Sequence, residues 1–300
     1  MRMPRYPVYV ISKGRHGKEG LTARFLLREG VPFRLVVEPQ EADTYRAAFP
    51  AASIEVLPFS NLGQGSIPAR NWCWEDAKAA GHDRHWILDD NISGVRRWFG
   101  GKRIACGSGP AFSAIEDFAD RYLNAAICGM DYTMLSFTMG KAHYQPAHPF
   151  DQNVHVYSCI LIDNTLPFRW RGRYNEDTDL CLQALAHGMC TVLTNAFTID
   201  KTTTMTMKGG NATELYQGDG RLKMARSLER MWPGVVTVGR RYGRPQHVVN
   251  WRKFDTPLRL KPGVVVPDAP DEYGMRLVQV APVVKSAAMR ELLARANGIE

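Results

Sequence analysis

Asp89, Asp90 and Asn91 directly follow the apolar run Trp86-Ile87-Leu88. Acidic and amide side chains just past a buried strand make a site for a hard divalent cation, because Mg²⁺ or Mn²⁺ prefers oxygen ligands and keeps positions open for phosphate. The same residue types also end strands in ordinary turns through local hydrogen bonds. Position favours chemistry here, since α/β sheets bind ligands at the carboxyl edge of parallel strands. Nineteen residues upstream, Arg70-Asn71 stands at a helix start opened by Pro68. A guanidinium and a helix N-terminus both favour phosphate, although a lone Arg there serves equally as a solvated surface charge. Downstream, Glu176-Asp177 precedes the helical pattern Leu180, Leu182, Ala184, Leu185. At a helix N-terminus the dipole keeps a carboxylate ionised, as a general base requires; acidic residues are also the commonest caps of such starts.

The elements that must position these residues read as β-α units of a mostly parallel sheet. Val8–Ile11 is a first strand, and the loop Ser12-Lys13-Gly14-Arg15 turns into a helix over Leu21–Glu29 that Gly30 stops. Strands follow at Phe33–Val37 and Ile54–Leu57, with a helix over Glu41–Ala48 between them. A glycine-rich loop, 61–66, precedes the helix that carries Arg70 and runs to about Ala80, where Gly81 ends it. Farther on, helices are expected over Ala111–Ala126 and from Glu176 to Gly188, and strands over Thr133–Phe137, Val154–Ile162 and Thr191–Leu193. A last helix is expected over Ala287–Ala296.

The chain has 300 residues, 45% of them apolar, enough to fill an α/β core. No apolar run approaches the roughly 18 to 20 residues that cross a bilayer, and Met1–Arg5 leads into a strand rather than a signal-peptide apolar region. The expected compartment is the cytoplasm, and no membrane partner is expected. Six cysteines lack metal or disulfide spacing and read as reduced, mostly buried thiols. His16, His143, His148, His155 and His187 show no metal spacing either and read as surface or core residues.

The formal net charge of +8 can all be assigned to residues 221–261, where eleven Lys and Arg face only Glu229 and Asp255. Arg240, Arg241, Arg244, Arg252, Lys253 and Arg259 lie among Tyr242, Trp251 and Phe254, a mixture suited to phosphate neutralisation with base stacking. A solvated basic face is the plainer alternative. Two regions result: residues 1–200 as the catalytic domain, and residues 201–300 as a basic extension packed on it.

Taken in order, Asn61-Leu62-Gly63, Ala69-Arg70-Asn71, Ala79-Ala80-Gly81 and Trp86–Asn91 resemble the donor half of family-2-type, GT-A glycosyltransferases. Tyr174–Leu182 with Ala186-His187-Gly188 is similar to their Glu-Asp motif and the helix after it. A closer resemblance is to the TET-associated glycosyltransferases, encoded largely by bacteriophages. It is carried by Tyr9–Arg15, Gly30–Gln40, Leu57–Gly65 and Arg84–Asn91.

The resemblance implies a Rossmann-like GT-A fold, a nucleotide-sugar donor with UDP-sugars favoured, and Mn²⁺ or Mg²⁺. Asp89 would contact the donor base or ribose, and Asp90 would hold the metal, with Asn91 standing where the family pattern often has a further acid. His247 would be a late metal ligand. Ser12, Lys13, Arg15, Arg70 and Asn71 would bind the donor, with Arg70 and the metal neutralising the departing diphosphate. Asp177 would deprotonate the acceptor with Glu176 in support, in an inverting transfer. The implied acceptor is 5-hydroxymethylcytosine in DNA, bound by Arg240, Arg241, Arg244, Trp251, Arg252 and Lys253, in an infected bacterial host if the chain is phage-encoded. The alternatives are a metal-dependent nucleotidyltransferase, a glycosyltransferase with a non-DNA acceptor, and an inactive DNA-binding module.

Overall fold

The computed structural model describes residues 2–17, 21–99, 102–135, 149–202, 219–241 and 243–266. The first β-α units follow the sequence pattern closely: β1 (Val8–Ile11), α1 (Leu21–Glu29), β2 (Arg34–Val37), α2 (Ala42–Ala48), β3 (Ser53–Val56), α3 (Ile67–Ala79) and β4 (Arg84–Asp89). After them come β5 (Ile92–Phe99), β6 (Lys102–Cys106), α4 (Ser108–Asp120), β7 (Ala125–Tyr132), β8 (Phe150–Gln152), β9 (Cys159–Asp163), α5 (Glu176–Ala186) and β10 (Cys190–Lys201).

These strands form one sheet in the order β3-β2-β1-β4-β9-β7-β10-β5-β6, with β8 also on β10. The expected α/β class is what the chain adopts. The first half of the sheet, β3-β2-β1-β4, is parallel throughout, and β1 brings Ile11 opposite Asp89. Beyond it β9 runs antiparallel to both β4 and β7, and β5 and β6 form an antiparallel margin on β10. Trp74, Trp86 and Trp170 are almost wholly buried, each contributing on the order of 3 kcal/mol of apolar burial. The Trp86 indole donates to Glu116 Oε1 at 2.9 Å, so its polar edge is met inside the core.

The middle of the chain differs from its sequence pattern for local reasons. The helix expected to Ala126 ends at Asp120, because Asn124 donates to Pro257 O and accepts from Arg259 N, and Ala125 opens β7. Of the strand expected over Thr133–Phe137, residues 133–135 form a turn and 136–137 lie outside the described residues; the strand itself is Ala125–Tyr132, where seven consecutive buried residues leave no alternation to read. Of Val154–Ile162, only Cys159 onward joins the sheet, since Asn153 and Ser158 adopt left-handed backbone conformations (φ 56° and 62°). The strand expected over Thr191–Leu193 extends to Lys201, carried by polar residues buried between β5 and β7.

By compactness the chain divides into Met1–Ala212 with Asp255–Val265, and Thr213–Phe254 with Val266–Glu300. In the first unit the returning segment is held by Leu123 N–H on Arg259 O and Lys261 N–H on Arg121 O, both 2.8 Å. Arg259 and Lys261 therefore belong with the first unit rather than with the rest of the basic stretch. The described part of the second unit is α6 (Gly220–Met231) and a hairpin of β11 (Val236–Arg241) and β12 (Arg244–Val249), followed by a 3-10 turn, Trp251–Lys253. The helix expected over Ala287–Ala296 lies outside the described residues. No helix among the described residues is long and apolar enough to cross a membrane.

Candidate active site

Asp89 closes β4, and the first turn of α1 fixes the main chain that follows. The Thr22 hydroxyl donates to Asp89 O at 2.6 Å and accepts from Ile92 N–H at 2.9 Å, while Thr22 N–H donates to Asp90 O at 3.2 Å. With the backbone held, the two carboxylates meet different partners. Asp90 accepts from Ser12 Oγ at 2.8 Å and from Arg15 Nη1. Asp89 accepts from Arg70 Nη2 at 3.1 Å and from Lys201 Nζ at 2.7 Å.

Their titration diverges accordingly. Burial alone would raise the Asp89 carboxyl, but the Lys201 ammonium and the Arg70 guanidinium outweigh it and hold the group below its ordinary value. At Asp90 burial wins, and the carboxyl is raised despite Arg15.

Arg70 is the hinge of the site. It lies in the first turns of α3, 5% exposed, with its guanidinium 4.5 Å from the Trp170 ring centroid. Its Nε donates to Ser66 Oγ at 3.2 Å; that hydroxyl donates to Glu176 Oε1 at 2.8 Å, and the Nε to Oε1 separation is 3.8 Å. One guanidinium thus joins the end of β4 to the start of α5 across about a hundred residues of sequence. Asn71 does not share this role. Its amide donates to Trp170 O at 2.9 Å and accepts from Trp170 N–H at 3.1 Å, clamping the main chain beneath Arg70. Arg171 adds a two-pronged pair to buried Asp179, at 2.9 and 3.1 Å.

Asn175, in a left-handed conformation (φ 53°), turns the chain into α5. Asp177 Oδ1 accepts from Thr178 N–H at 2.7 Å, and Oδ2 lies 3.3 Å from His155 Nε2. Burial opposes ionisation of Asp177, but the charge and hydrogen bond of His155 overcome it, with Arg70 adding to them, so the carboxyl lies well below the usual carboxylate range. Glu176 goes the other way, raised chiefly by burial and by its neighbour Asp177. Of two adjacent carboxylates, one is held ionised and the other is pushed towards its neutral form.

The fold therefore brings Ser12, Arg15, Asp89, Asp90, Arg70 and Glu176 to one sheet edge, with Asp177 beside them. Lys13 turns aside, pairing with Glu38 at 2.9 Å and Asn61 at 2.8 Å. Three side chains that the sequence pattern does not single out belong to the site: Thr22, His155 and Lys201. Thr22 opens a helix pattern and Lys201 closes a strand, and nothing in their neighbours marks either. Lys201 Nζ also donates to Ser158 Oγ at 2.6 Å and to Tyr132 OH at 3.1 Å.

A divalent cation does not fit these residues. All four oxygens of Asp89 and Asp90 already face a cation or a hydroxyl. Arg15 answers Asp90, and Lys201 and Arg70 both answer Asp89, so neither strand-end carboxylate carries an unanswered charge that would draw a metal. Arg15 holds Asp90, the expected metal ligand, and Lys201 Nζ holds the neighbouring Asp89 at 2.7 Å; a dication about 4 Å from either cation meets repulsion on the order of 8 kcal/mol even in a partly screened site. Asn91 Oδ1 is buried and meets no donor, but one amide oxygen does not make a hard-cation site. No group of three His, Cys, Asp or Glu able to hold a metal occurs among the described residues. His247 lies on β12 in the second unit, opposite Val238.

In that second unit Arg240 pairs in register with Pro245, and Arg241 with Arg244, around a turn where Gly243 takes a left-handed conformation (φ 71°). Arg240, Arg244, Arg252 and Lys253 are exposed, and Trp251 is partly so. The hairpin and the turn after it thus present basic side chains and an aromatic ring to solvent.

Among solved structures, the chain is similar to a candidate nucleotide-diphospho-sugar transferase from Desulfovibrio desulfuricans G20, at 11% identity over 64% of this chain and 80% of that one, with a TM-score of 0.35. It is also similar to 4-diphosphocytidyl-2C-methyl-D-erythritolsynthase from Anaerococcus prevotii DSM 20548, at 10% identity over 67% and 93% of the two chains, with a TM-score of 0.37. No curated protein matches it in sequence. The family described as TET-Associated Glycosyltransferase matches residues 6–210, a span that takes in both the strand-end carboxylates and the Glu-Asp helix start. This chain belongs to the TET-associated glycosyltransferase family.

Proposed function

We propose that this protein transfers a sugar from a nucleotide-diphosphate sugar, a UDP-sugar by preference, to the hydroxymethyl oxygen of 5-hydroxymethylcytosine in DNA. The observation that carries the proposal is Arg70. It contacts Asp89 at 3.1 Å and approaches Glu176 at 3.8 Å, so a guanidinium suited to phosphate stands between the strand-end carboxylates and Glu176, the neighbour of the candidate base Asp177. Family membership supports the sugar-transfer chemistry, and the exposed basic hairpin supports a polyanionic acceptor.

In the proposed reaction the acceptor oxygen attacks the anomeric carbon as the bond from that carbon to the diphosphate oxygen breaks, giving inversion. The electron pair leaves with the nucleoside diphosphate, whose charge Arg70 and Arg15 offset. The acceptor proton passes to Asp177, which His155 keeps ionised and oriented. Ser12 holds Asp90 in place beside Arg15.

Incubating the full chain with hydroxymethylcytosine DNA and a panel of UDP-sugars, followed by digestion and nucleoside mass spectrometry, tests the proposal. A hexose or N-acetylhexosamine adduct is expected, and its absence with every donor would overturn the DNA acceptor. Asp177→Asn should lower turnover by about a thousandfold or more while sparing donor binding. A variant that stays active removes Asp177 from the role of base.

A further inference from the structure

The strand end that a resident metal would occupy is already filled by the chain's own charge. We infer that the donor diphosphate is received by Arg15, Arg70 and Lys201, with Lys201 as a fixed ammonium in the metal's place, so that sugar transfer needs no divalent ion. This deepens the proposed glycosyltransferase reading and rests on it.

Three observations carry it. Lys201 is 9% exposed at its side chain, and its Nζ has three acceptors, Asp89 Oδ2, Ser158 Oγ and Tyr132 OH, one for each N–H. A lysine that spends its whole donor set inside a sheet edge is immobilised, which is what electrostatic stabilisation of a leaving group asks of a cation. Second, Arg70 is tied down by Asp89 and Ser66, yet its Nη1 is buried and meets no acceptor. An unmet buried donor is costly, and an incoming phosphate oxygen is the acceptor it lacks. Third, Arg15 holds Asp90, so a cation faces each strand-end carboxylate that would otherwise repel the diphosphate. Lys201 becomes a positioning and charge-supplying residue of the donor site, 112 residues from the Asp89 it answers.

Titration calorimetry of the full chain with UDP, GDP, CDP and dTDP, in EDTA and again with Mn²⁺, tests the inference without using DNA. Hydrolysis of the matching nucleotide-sugar in the same two buffers follows the chemistry. At least one diphosphate should bind in EDTA, with affinity and hydrolysis changed less than about threefold by Mn²⁺. Lys201→Met should weaken that binding roughly 10- to 100-fold, and Lys201→Arg should restore most of it, with circular dichroism confirming that both variants fold. Binding or hydrolysis that vanishes in EDTA and returns with Mn²⁺ overturns the inference and leaves the donor site standing. A folded Lys201→Met that binds as tightly as wild type also overturns it. If no diphosphate binds in either buffer, the donor reading itself falls. The wild-type comparison stands even if Lys201→Met does not fold.

Discussion

Adjacent carboxylates of this site are made different by their partners. Asp89 and Asp177 are held below the ordinary carboxylate range by nearby cations, whereas burial raises Asp90 and Glu176. The Asp177 and His155 pair gives a pH prediction whose sign follows from the cause. His155 lowers the Asp177 carboxyl, so the proposed base stays ionised well into acid in the wild type. His155→Gln removes the charge, burial then dominates, and the acid limb of the kcat/KM profile moves to higher pH. An unmoved limb in a pH series of single-turnover rates would detach His155 from the base. The same depression means that the contribution of Asp177 to stability is fully present above the unfolded carboxyl value, about 3.9. It is lost as pH falls through the lower folded value.

At the scale of elements, the site depends on how α3, α5 and the sheet are braced. Asn71 ties α3 to the main chain of Trp170, whose ring lies under Arg70. Asn71→Ala strands a buried carbonyl and an amide, so it should cost about 1–3 kcal/mol in denaturant melts and weaken donor binding together with stability. β7 is equally intolerant where it crosses β9. A Cβ added at Gly129 would stand 2.5 Å from Cys159 O and from Val156 Cγ1, so one contact is with backbone that cannot swing away. Gly129→Ala should therefore lower stability by about 1–3 kcal/mol, read as a lower midpoint of unfolding. Glycine at this point is required by close approach of strands rather than by backbone conformation.

For the whole molecule, the distribution of charge matters more than its total of +8. The exposed cations of the second unit predict salt-dependent DNA binding, because each phosphate contact releases condensed counterions. Reversing Arg240 and Arg244 to Glu should weaken binding and make the slope of log K against log salt shallower by about 2, measured by fluorescence anisotropy. An unchanged slope would remove the hairpin from the interface. Calorimetric binding of nucleoside diphosphate should be unaffected in that variant, which separates acceptor recognition from the donor site.

The first ninety residues are legible in the sequence because each β-α unit there is a local object. Periodicity, Gly30, Pro68 and Gly81 mark its parts within a few positions, and the carboxyl end of β4 follows from the same pattern. The motifs around Arg70, Asp89, Asp90 and Glu176-Asp177 determined the family, since their order survives without knowledge of contacts. Tertiary structure decided what those groups meet. Buried strands such as β7 and β10 carry no alternation, so their extents were hidden. The pairing of Asp89 with Lys201, of Asp177 with His155 and of Asn71 with Trp170 arises from packing between elements 22 to 112 residues apart. A lysine at the end of a strand looks the same in sequence whether it faces water or pairs with a carboxylate inside the fold; only the carboxylate and hydroxyls that close around it tell the two apart.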